Sequence, residues 1–219
     1  MLLSELITDI NYAHKGNNRA PTEGSDKWNR AVAIINRKLR EWATDSETSW
    51  ASLFEERTVG TFSTTQTVTL ATDVHKLSDY VYLLDADDRE RQFTVIKPQQ
   101  RKDFTEAVYV SGNPKVLTFV DTISASDSFI GADIIVPLFK LPEALSSASD
   151  TVIVDSTEWL TYAVAAELAR NDPAKDDQFG NLIGLANELY QQMKDNNDTL
   201  PYAQPFSVPV EVMQTGESW

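Results

Sequence analysis

Cysteine is absent from these 219 residues, which excludes disulfides, thiolate metal sites and cysteine nucleophiles together. A chain of this size made for an oxidising compartment often carries some cysteine, so the absence favours a cytoplasmic origin. Histidine is nearly absent too. His14 and His75 stand at no spacing that suggests a shared site, and His14 falls in the last turn of a helical pattern, where it suits the dipole. A His-Glu-x-x-His pair, a nucleophile elbow and a P-loop are all missing, and the eight glycines never form the dinucleotide fingerprint. No apolar run approaches the ~20 residues that span a bilayer. The N-terminus lacks the basic and apolar regions of a secretory signal. The expectation is no enzyme mechanism, no cofactor, no metal and no membrane.

Positive charge is the next shortage. Nineteen Lys and Arg against 33 Asp and Glu leave a net charge of −14 and a pI near 4.5. Such a chain is poorly suited to grip phosphates. An acidic wall does suit nucleic acid that slides past without binding. The densest carboxylate cluster, Asp85-Ala86-Asp87-Asp88-Arg89-Glu90, fails as a calcium loop: its sixth position is Glu90 and its twelfth Ile96. It reads as a charged hairpin turn. Glu55-Glu56 and Asp176-Asp177 read as solvated faces.

What is present is an ordinary globular composition, 42% hydrophobic and 24% charged, long enough for one well-buried core or a core with an appendage. Leu3, Leu6, Ile7, Ile10 and Ala13 recur at helical spacing, and Gly16 is placed to end that helix. Residues 16–25 form a loop by composition. Trp28, Val32, Ile35, Leu39 and Trp42 then make a second apolar stripe. Lys27, Arg30, Arg37 and Lys38 make this helix basic: either a solvated face or a docking face for an acidic neighbour such as another copy.

From 57 to 138 the pattern is short, β-branched and aromatic. It predicts strands at 58–62, 67–70, 80–84, 92–96, 108–110, 116–120 and 134–138, joined as antiparallel hairpins. Pro98-Gln99-Gln100 starts a polar turn or one helical turn. Between Lys115 and Lys140 the chain holds Asp121, Asp127 and Asp133 but no basic residue. These are ordinary acidic loop residues or, if a surface faces DNA in transit, that surface. A short strand is expected at 152–154, then two helices, 156–170 and 173–194. Asp155 with Glu158 has the form of a capping box for the first, and Asp172-Pro173 opens the second. The first is apolar on nearly every side, which predicts the central helix. In the second, Phe179, Leu182, Ile183, Ala186, Leu189, Tyr190 and Met193 mark the inward stripe.

The fold class expected is α+β: a bundle of about four helices with an antiparallel sheet or small β-sandwich inserted between its N- and C-terminal halves. The divisions are 1–56 (N-terminal helices), 57–140 (β-rich), 141–195 (C-terminal helices) and 196–219 (an extended arm). The arm has Pro201, Pro205 and Pro209 and no Lys or Arg. Tyr202, Phe206, Val208, Val210 and Trp219 make it too apolar for an idle linker, so it lies on a partner or on its own domain.

In order, a helix, a Trp-bearing helix, a run of strands and then Leu141-Pro142-Glu143-Ala144-Leu145-Ser146, Asp150, Glu158-Trp159-Leu160, Ala-Ala-Glu-Leu-Ala-Arg-Asn-Asp (165–172), Asn181-Leu182 and Tyr190 resemble the head-to-tail adaptor (head–tail connector) proteins of tailed bacteriophages. The order covers most of the chain, and its specific part is about 55 residues at the C-terminal end. The resemblance implies a structural virion protein of the neck, assembled in the host cytoplasm. It implies a homo-oligomeric ring, typically twelve-fold, around a channel for DNA. It also implies portal binding through the C-terminal arm and, on the tail side, a nozzle, stopper or tail-tube protein. The strand region is longer than a minimal adaptor needs. Alternatives are a stopper or tail-completion protein, or a small acidic hydrolase or carbohydrate-binding module built on the strands.

Overall fold

The computed structural model describes residues 1–170 and 175–198. Its helices are α1 (Leu3–Lys15), α2 (Asp26–Ala43), α3 (Thr157–Arg170) and α4 (Asp176–Asp198). Between α2 and α3 come β1 (Phe54–Thr61), β2 (Thr67–Thr69), β3 (Val74–Leu77), β4 (Tyr80–Leu84), β5 (Glu90–Val95), β6 (Ala107–Ser111), β7 (Val116–Phe119) and β8 (Asp133–Lys140), with 3-10 turns at Ala51–Leu53 and Pro98–Gln100.

Local chemistry explains the helix ends. Glu5 reaches back to accept the Leu2 N–H at 2.8 Å, and Gly16 closes α1 in the left-handed region at φ 69°. Ser25 Oγ accepts the Trp28 N–H at 3.3 Å to open α2. At α3 the cap is Ser156, whose Oγ accepts the Trp159 N–H at 3.1 Å. The Asp155 expectation is off by one: the helix begins at Thr157, so the side chain within reach of the orphan N–H is one residue later. The Asp172-Pro173 cap lies outside the described residues. Residues 152–154 are not a strand; Thr151 alone bridges to Leu2.

The sheet runs β1-β8-β4-β5-β6-β7-β2, with β3 paired to the far end of β8. It is nearly barrel-shaped. Its end strands β1 and β2 come into contact, and a side chain at Gly60 would meet Val68 at 3.5 Å. Three expectations are corrected here. The sheet is one mixed sheet and neither wholly antiparallel nor a sandwich, because β5 pairs β6 in parallel. The strands at 58–62 and 67–70 do not form a hairpin: β1 pairs β8, 72 to 85 residues away, and β2 pairs β7. A strand at Val74–Leu77 joins that no periodicity announced. Long-range pairing decided all three.

Two apolar clusters result. Inside the rolled sheet, Val81, Leu83, Phe93, Leu117, Phe119, Ile134 and Leu138 pack together, with Phe93 and Phe119 edge to face at 5.0 Å. The helices form the other cluster, and α3 touches α1, α2 and α4. Leu160, Val164, Ala165, Ala166 and Ala169 are fully buried; the alanines let the neighbouring backbones approach. The helices gather where β1 begins and β8 ends, so they flank the sheet differently from a bundle into which a sheet is inserted.

Residues 141–152 bind these parts together. Asn36 donates to the Leu145 carbonyl and accepts the Leu145 N–H, both at 2.8 Å, tying this strap to α2. Leu3 and Ser4 donate to the Asp150 and Ala148 carbonyls, tying it to α1. At the far end of α4, Asn197 accepts the Ala51 N–H at 2.9 Å and donates to the Ser49 carbonyl at 3.0 Å. Nearby, Tyr190 stacks against Trp50 and Trp159 with centroids 5.8 and 5.3 Å apart.

Candidate functional site

A hollow of about 480 Å³ opens where α1 ends, α2 begins and α3 finishes. Loop 17–22 forms one wall, and the buried Asn11 holds that loop in place. Its Nδ2 donates to the Asn17 carbonyl (3.0 Å), Asn17 Oδ1 (2.9 Å) and the Arg19 carbonyl (2.9 Å). On the other side, Lys175 Nζ and Gln178 Nε2 donate to the His14 carbonyl, and Gln178 also to Ala13, capping α1. The apolar lining is Ile7, Ile10, Ala31 and Leu168. Lys15, Arg19, Lys27 and Arg30 stand exposed around it, and among the described residues no Asp or Glu lines it.

None of these four cations forms an ion pair with the described residues. Unscreened like charges at one concave site concentrate positive potential there, in a chain of the opposite sign. The basic docking face expected on α2 is thus divided. Lys27 and Arg30 belong to the hollow. Arg37 instead pairs with Glu41 at 3.6 Å and Glu167 at 3.2 Å, and Lys38 with Glu41 at 2.7 Å. Arg19 is not picked out by sequence, because loop 16–25 has no period that shows which way it folds, and Lys15 reads only as a last-turn residue of the first helix.

A second hollow, of about 580 Å³, lies at the other end of α3 and α4. Asp155, Glu158, Leu189, Gln192 and Met193 line it, with no Lys or Arg. The Asp155 carboxyl is pushed above its usual value by desolvation, against a hydrogen bond with Ser52 that lowers it. Charge is distributed unevenly along the chain: residues 1–53 hold seven acidic and seven basic residues, whereas 141–198 hold eleven acidic and three basic.

The other sequence candidates are accounted for locally. Asp121 accepts the Glu106 N–H at 2.6 Å, and Asp127 pairs with Arg91 at 3.0 Å. Asp133 is exposed at the start of β8. The Asp85 carboxylate accepts the N–H groups of Asp87 and Arg89, both at 2.9 Å, and pairs with the Arg89 guanidinium. These bonds, that from the Arg89 N–H largest, hold Asp85 below its usual pKa. Where β1 meets β8, Arg57 bridges Asp73 and Glu55, which also pairs with Lys140 at 2.7 Å. Among the described residues, no group of three or more His, Asp or Glu is placed to hold a metal, and no helix is long and apolar enough to cross a membrane. The arm residues Tyr202, Phe206, Val208, Val210 and Trp219 lie outside the described residues. No family model matches this chain, and no curated protein matches it.

Proposed function

We propose that this chain is a non-enzymatic structural protein that assembles into a ring and serves as a head-to-tail adaptor in the neck of a tailed bacteriophage. One observation carries the reading: an acidic chain gathers four cations, none in an ion pair with the described residues, around one shaped hollow, which is the economy of an interface and not of a catalyst. The helical bundle would meet the portal and neighbouring copies, the rolled sheet would point to the tail-side partner, and DNA would pass through the ring without specific binding. Tyr202, Phe206, Val208, Val210 and Trp219 would dock the arm on the portal.

Electron microscopy of the purified protein mixed with portal tests this reading. A ring seated on the portal is expected. A chain that remains monomeric both alone and beside the portal removes it. Truncation after Asp198 tests the arm, and it must not be made earlier because Asn197 clamps residues 49–51. The truncated protein is expected to melt like the full chain and to lose portal capture.

A further inference from the structure

The two hollows differ in sign and stand at opposite ends of one helix. Leu168 of α3 lines the basic one and Glu158 lines the acidic one. Ten residues of helix separate them by about 15 Å. Within one chain they cannot meet.

Lys15 in the last turn of α1 and Glu158 in the first turn of α3 suit their helices, but other charges near the two hollows work against theirs. Lys27 sits in the first turn of α2, where the helix end is already partly positive. Asp195 and Asp198 close α4, whose last turn holds no basic residue, at an end already partly negative. Lys194, the one cation of α4, is turned away into ion pairs with Asp45 at 3.0 Å and Glu47 at 3.2 Å. Local choices that oppose the fold point to a requirement outside it.

We infer that the basic hollow of one copy receives the acidic α3–α4 end of the next copy, Asp155 and Glu158 with the flanking Asp195 and Asp198 facing Lys15, Arg19, Lys27 and Arg30. The inference rests on the ring reading above and names the surface that closes it. The contact is heterologous, one patch against a different patch, so an open arc of copies keeps one unused hollow of each sign, at its two ends, until the ring closes. Arg37 and Lys38 take no part, because Glu41 and Glu167 already hold them. The apolar lining, Ile7 and Ile10 in one hollow and Leu189 and Met193 in the other, adds burial to a contact that charge orients.

The test uses charge reversal in the full chain, read by light scattering and native mass spectrometry at low salt, with portal present if the ring needs it. Lys27→Glu with Arg30→Glu, and separately Asp155→Lys with Glu158→Lys, are each expected to raise the half-assembly concentration about tenfold or more. The four substitutions combined in one chain are expected to restore assembly, which a merely damaged fold would not do. Mixing the two double variants is also expected to restore assembly, with the two kinds of copy alternating, since the intact hollows fit each other and so do the two reversed ones. Lys97→Glu with Lys102→Glu, exposed on the sheet side, changes charge equally and should leave assembly unaltered. If the double variants assemble like the parent, or the quadruple variant fails while still melting as a folded protein, this inference falls and the ring reading stands. A chain that never assembles, with or without portal, overturns both.

Discussion

Asn11 shows how a single buried amide shapes a surface. Its three acceptors all lie in the loop that carries Arg19. Asn11→Ala is expected to cost about 1–2 kcal/mol in urea unfolding, the range for losing buried hydrogen bonds. It should also weaken assembly, because the loop would no longer hold Arg19 at the hollow. At the other end of the bundle, Asp45 accepts a hydrogen bond from Tyr190 Oη at 2.6 Å and pairs with Lys194 at 3.0 Å. Desolvation raises its pKa, but the bonds from Tyr190, Glu47 N–H and Lys194 together outweigh it and leave the pKa below the usual 3.8. A carboxylate lowered in the folded state contributes stability that is full above the unfolded value and is lost as pH falls through the folded one. Melting temperature should therefore drop as pH falls from about 5 towards 2. In Tyr190→Phe the drop over that interval should be smaller, since part of the lowering is gone. An equal drop in both proteins would show that Asp45 contributes little. Glu55, lowered chiefly by Lys140, and Asp73, lowered chiefly by Arg57, act in the same direction and set the part of the slope that Tyr190→Phe leaves.

Among the elements, α3 is the one the others are built against, and its start is the sharpest local question. Ser156→Ala removes the hydroxyl that accepts the Trp159 N–H and is expected to cost about 1 kcal/mol. Asp155→Ala leaves that cap in place, so thermal melts of the two variants should separate them, with Ser156→Ala the lower. The reverse order would restore Asp155 as the cap. Asn36 makes a comparable point for the strap. Its side chain completes both backbone groups of Leu145, so Asn36→Ala strands a part-buried N–H and C=O and should cost about 1–3 kcal/mol by urea titration.

For the whole molecule, the separation of charge matters more than its total. Residues 1–53 are neutral overall while 141–198 are strongly acidic, and four cations in no ion pair with the described residues surround one hollow at an end of α3. An assembly held by such surfaces should weaken steeply with salt, because screening shortens from about 10 Å at 0.1 M to about 3 Å at 1 M. Sedimentation across that range checks it. An assembly indifferent to salt would be held by apolar burial instead.

Periodicity by itself determined the helices and most strands: stripes such as Trp28 to Trp42 bury one face whatever lies opposite, and β-branched runs favour extended chain locally. It also marked Lys27 and Arg30 as notable. What only the tertiary structure decided was pairing. β1 seeks β8 and not its neighbour β2, Arg37 finds Glu167, and Asn11 folds a patternless loop so that Arg19 joins Lys15, Lys27 and Arg30. Contacts between residues far apart in sequence leave no local signal, since the free energy they contribute exists only once both partners are in place.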